Sequence, residues 1–135
     1  MEHGKPQAVQ PEGWARPKGY ANGVVAQGRM LFIAGMIGWD GQGVFHSDDF
    51  GAQARQALQN VADVLRQAGG KAENIVRMTW YVTDKREYLA ASREVGRAFR
   101  EIIGNYDIAM TAVEVKALIE DRAKVEIEAT AMLSS

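Results

Sequence analysis

A chain of 135 residues, 47% hydrophobic and 24% charged, is long enough for one buried core and short for two domains. Its formal net charge of -1 offers no cationic footprint for nucleic acid, and no run approaches the ~20 apolar residues of a membrane span. The lack of cysteine excludes disulfides and thiolate chemistry together, and the opening MEHGKPQAVQPEGW has no apolar middle of a signal peptide, so a cytoplasmic protein is expected.

Residues 1–18 hold all three prolines, Pro6, Pro11 and Pro17, and are expected to form a flexible tail ahead of one domain over 19–135. From Asn22, the runs GVVAQG and MLFIAGMIGW, separated at Gly28 and Arg29, predict a β-hairpin. Asp40 to Gly43 reads as a turn, and Ser47 and Asp48 offer capping oxygens to a helix. That helix carries Phe50, Ala54, Ala57, Leu58, Val61, Leu65 and Ala68 on one stripe and stops at Gly69 and Gly70. Residues 74–82 alternate as a strand, with Val76, Met78, Trp80 and Val82 on one face and Arg77, Thr79 and Tyr81 on the other. Thr83 and Asp84 then cap a second helix with the stripe Tyr88, Ala91, Val95, Phe99 and Ile102, ending at Gly104 and Asn105. Two strands, 109–117 and 124–133, close the chain across the turn Ile119 to Arg122. The order ββαβαββ predicts an α+β domain, one mixed sheet with both helices on one face.

The other sheet face is then uncovered. In the last strand it presents Glu126, Glu128, Thr130 and Met132, joined by Arg77, Tyr81, Met110 and Glu114 from neighbouring strands. Such a mixed patch predicts self-association in a closed symmetric ring. The alternative is a solvated face on which Arg77 pairs across strands with a glutamate.

Recognised catalytic constellations fail. There is no glycine-rich phosphate loop and no GxSxG elbow. Of two histidines, His3 lies in the tail, and His46 precedes the first helix as a capping or surface residue. No metal or cofactor is expected. Glu126 and Glu128 lie about 7 Å apart on one strand face. Like charges that close can raise one carboxylate toward the range of a general base. Pairing with Lys116 or Lys124 is the plainer reading of the same residues.

The element order, the opening GYANGVVAQGRMLFIAG, the middle AQARQALQNVADVLRQAGGKAENIVRMTWYVTD and the ending AVEVKALIEDRAKVEIEATA resemble the RidA/YjgF family from Gly19 to Leu133. The resemblance implies a chorismate-mutase-like fold and a homotrimer with a central barrel of sheets and small-molecule clefts between subunits. It implies enamine/imine deamination of intermediates such as 2-aminoacrylate. Older endoribonuclease labels in the family find no support in a sequence pI near 6.1. Carried over by motif, Glu126 is the catalytic, water-orienting residue, and Tyr20, Ala34, Gly35, Met110 and Thr111 line the substrate site. Met110 stands where the family has an arginine that clamps a carboxylate. Ala34 stands for a common serine and Ser92 for a common asparagine, and the turn at Glu120 to Arg122 is one residue longer. The expected ligand is an imine, an enamine or a related metabolite, more apolar or less charged than 2-iminopropanoate, unless Arg122 or Arg77 supplies the clamp from elsewhere. The competing expectation is a trimer that binds a small metabolite without turning it over.

Overall fold

Alternation in the last strand organises the molecule. The computed structural model describes residues 5–134. In order these form β1 (Gln7–Val9), β2 (Gly23–Val25), β3 (Arg29–Ile37), α1 (Phe50–Gln67), β4 (Ile75–Val82), α2 (Lys85–Ala90), α3 (Ser92–Ile102), β5 (Ala109–Glu114) and β6 (Val125–Leu133). The main sheet has the order β3-β6-β4-β5. β6 runs antiparallel to both neighbours, and β4 and β5 are parallel. Every second β6 residue, from Val125 to Leu133, is buried because α1 lies over that face, its Ala54, Ala57, Leu58 and Val61 wholly enclosed. The helix is capped by Asp49, whose side chain accepts from the Ala52 amide at 2.9 Å. Ser47, an expected cap, instead braces the Asp49 amide. The helix ends where Gly69, with φ of 82°, turns the chain so that the Gly70 amide donates back to the Leu65 carbonyl.

Four expectations are corrected. The hairpin across Gly28 and Arg29 does not form, because β2 pairs antiparallel with β1. The proline-bearing start of the chain therefore contributes a strand at Gln7–Val9; Pro6 and Pro11 flank that strand, so its amides stay free to donate. The second helix is two, divided at Ala91, whose ψ of 7° leaves the helical range. α2 sends Tyr88 against Trp80, while α3 buries Val95 and Ala98. Finally, Met110 and Glu114 do not belong to the uncovered face. The parallel ladder sets Met110 beside Met78 and Glu114 beside Val82, which points both toward the helices. Glu114 accepts there from the Lys85 amide at the start of α2.

One core residue breaks the apolar stripe. Gln53 is fully buried; its Nε2 donates to the Ser47 and Arg122 carbonyls and its Oε1 accepts from the Lys124 amide. It ties the entry to α1 to the entry to β6. Replacing Gln53 with Leu keeps the volume and leaves three part-buried backbone groups without this partner, so urea unfolding is expected to show a loss of about 1–3 kcal/mol.

Candidate functional site

Glu126 lies opposite Tyr81 on the helix-free face. The Tyr81 hydroxyl donates to Glu128 at 2.6 Å. That bond, then desolvation, then the negative charges of Glu128 and Glu126 hold the phenol above its ordinary value. Glu128 is thereby engaged. Glu126 is half-buried and, among the described residues, has no hydrogen bond or ion pair. Gly35, in the bulge of β3 between Ile33 and Met36, is why the carboxylate fits: a Cβ there would overlap the Glu126 carboxylate. The pairing of Arg77 with a glutamate is not formed among the described residues, and Lys124 is spent on Glu87 at 2.9 Å. The same face carries apolar surface, with Phe32 71% and Met30 55% exposed, beside the exposed Arg77.

A second feature lies on the helix side. A groove of about 1060 Å³ runs between the segment before β2, the α2–α3 pair and the β4–β5 edge. Tyr20, Trp80, Tyr88, Ser92, Phe99 and Met110 line it. Tyr20 is held in place because Ala21 bridges to Ala109 and donates to the Ile108 carbonyl at 2.9 Å. The groove's charged residues, Arg16, Lys18, Arg100 and Asp107, are all exposed, whereas Trp80 and Val95 are buried and Met110, Tyr88 and Phe99 half-buried. Its charge therefore sits at the mouth and its interior is neutral. Arg122 is held by Asp48 at 3.0 Å and stacks on Phe45, and Arg77 projects from the opposite sheet face, so neither lines the groove.

A family model described as Endoribonuclease L-PSP matches residues 14–133. The chain belongs to that family. It is 34% identical over 105 residues to the 2-iminobutanoate/2-iminopropanoate deaminase of Salmonella typhimurium, covering 78% of this chain and 80% of that one. The Rid family protein YyfB of Yersinia pestis superposes with a TM-score of 0.84 at 32% identity, over 96% of this chain and 99% of that one. Escherichia coli TdcF, solved with bound serine, does so with a TM-score of 0.69 at 30% identity, over 99% and 97%. The RidA/YjgF fold expected of the α+β domain is thus present, with three α-helices rather than two among the described residues.

In this L-PSP family chain the anticipated site residues fall into two groups. Tyr20 and Met110 line the groove on the helix side. Glu126 stands on the other face with the bulge that contains Ala34 and Gly35, and Thr111 pairs with Thr79 and, through it, with Glu128. The sheet itself separates the groups. Trp80, Tyr88 and Phe99, read from periodicity as core, also form groove walls beside the edge strand β5. No signal in the alternation pattern distinguishes a side chain buried under a helix from one buried beside a groove. His46 does not cap α1; its Nε2 meets Asp40 Oδ2 at 2.7 Å. Among the described residues no group of three His, Asp or Glu is placed to hold a metal ion, and no helix is long and apolar enough to cross a membrane.

Proposed function

We propose that this L-PSP family protein hydrolyses a small imine or enamine in a cleft formed between copies of the chain. Glu126 of one copy meets the Tyr20 and Met110 groove of its neighbour in a homotrimer. The observation that carries the reading is the Glu126 carboxylate: half-buried, without a partner among the described residues, and beside a glycine that leaves it room. Such a group can accept a proton from water as the water oxygen bonds to the imine carbon. Collapse of the carbinolamine then breaks the C–N bond, releasing ammonia and leaving a carbonyl, so water is the sole co-reactant. Relatives named as 2-iminobutanoate/2-iminopropanoate deaminases at 34% identity support the reaction class. The apolar exposed face of Met30, Phe32 and Val113 supports association through the sheet.

Substrate preference follows from Met110. A guanidinium grips a carboxylate through two charge-assisted hydrogen bonds, which a thioether cannot replace. Weak activity on 2-iminopropanoate is expected, and better activity on less charged imines. Replacing Met110 with Arg should raise kcat/KM for 2-iminopropanoate by about tenfold or more, the equivalent of one recovered charged contact. No gain in a coupled amino-acid oxidase assay would refute this role for position 110. The second reading, binding without turnover, draws on the serine held by TdcF. Thermal stabilisation by serine, with no imine hydrolysed, would favour it.

A further inference from the structure

Trp80 is 3% exposed and lines the groove, and its indole Nε1 is buried with no hydrogen-bond partner among the described residues. Indole nitrogen is a donor only, and a buried donor left unmade is costly enough that native proteins rarely tolerate one without a reason. Around it the groove interior is neutral, with Met110, Tyr88, Phe99 and Val95 as neighbours along the wall. We propose that Trp80 Nε1 is a specificity-determining donor. It selects a neutral small molecule whose apolar, ring-bearing or branched body fills the groove and whose carbonyl-type acceptor bonds to the indole.

Access follows from α2. The Tyr88 ring lies against the indole, with centroids 6.3 Å apart and planes tilted by 58°. Its six-residue helix buries none of its own residues and is separated from α3 at Ala91. Access requires Tyr88 to give up its contacts with the indole and with the buried Phe50, which the ligand's body and its acceptor replace. The cations at the mouth are solvated, so they add no requirement for an anionic group inside. The inference rests on the groove being the ligand pocket and is independent of Glu126 chemistry.

The test uses three probes of similar size on the full-length protein: acetophenone, α-methylstyrene and benzoate. α-Methylstyrene keeps the ring and branch of acetophenone but replaces the carbonyl with a methylene; benzoate carries a charge. The chain has three tryptophans, so the indole N–H resonance of Trp80 is assigned as the one lost in Trp80→Phe. Acetophenone should move that resonance downfield, and Trp80→Phe should weaken acetophenone about tenfold, the worth of one buried hydrogen bond. Affinity for α-methylstyrene should change less than about twofold, since it never used the donor. Because the two ligands are compared across the same pair of proteins, a cavity left by the substitution weakens both and is told apart from a lost donor. Equal weakening of both, no indole shift, or benzoate binding tightest in both proteins would overturn the proposal. Loss of hydrolysis in Glu126→Gln with the probe results intact separates this inference from the catalytic one.

Discussion

Replacing Glu126 with Gln is expected to lower the rate of imine hydrolysis by about 10² to 10⁴, the usual contribution of a placed general base. The amide keeps the size and the place beside Gly35 but cannot accept the proton of the attacking water. Because Glu126 has no hydrogen bond or ion pair among the described residues, nothing structural should be lost with its charge, and the unfolding midpoint should stay within about 0.5 kcal/mol of wild type. That combination distinguishes Glu126 from its neighbour. Glu128 holds the Tyr81 hydroxyl, so Glu128→Gln should alter the Tyr81 phenol more than the rate. The measurement is a coupled assay in which an amino-acid oxidase supplies imines from several substrates. Equal rates for wild type and Glu126→Gln would remove the carboxylate from the mechanism.

A charge placed on the helix-free face should be equally damaging by another route. Phe32 is 71% exposed and pairs with Thr130 in β6, so in a single chain a lysine there would be harmless. If the face is shared among three copies, Phe32→Lys buries an unpaired ammonium in an apolar contact, and the assembly should dissociate. Light scattering at micromolar concentration should then give the 14.8 kDa chain in place of three times that mass. Activity should vanish with the mass change, although Glu126, Tyr20 and Met110 remain intact, because the sheet keeps the two half-sites of one chain apart. Complementation sharpens the point. Glu126→Gln and a groove-filling Gly96→Trp variant, each inactive alone, should recover roughly a quarter of wild-type activity when unfolded and refolded together, the statistical share of clefts with both halves intact in a random cyclic trimer. A wild-type chain that scatters as a stable monomer, or a mixture with no recovered activity, would refute the shared cleft.

What was legible in the sequence was local. Period-two alternation in 124–133 and in most of 74–82 assigned the buried side chains of β6 and β4, and the period of three to four from Phe50 to Leu65 placed α1, because burial against one neighbour imprints a regular pattern. The family resemblance also pointed to Glu126 and Gly35, and the two are adjacent in the fold. Three things lay beyond such patterns. Gln53 occupies a core position on α1 because the carbonyls and the amide it satisfies come from Ser47, Arg122 and Lys124, segments that only folding brings together. The start of the chain forms β1 because β2 offers it an edge, a pairing that composition around three prolines does not announce. Above all, Met110 and Glu126 lie on strands with similar alternation yet on opposite sides of the sheet. That depends on the register of β5 against β4, with Met110 beside Met78, and a shift of one residue would have reversed it. The residues proposed for the chemistry could be named from the sequence through its family resemblance; that Met110 and Glu126 of one chain face opposite sides of the sheet is a property of strand register, which only the tertiary structure decides.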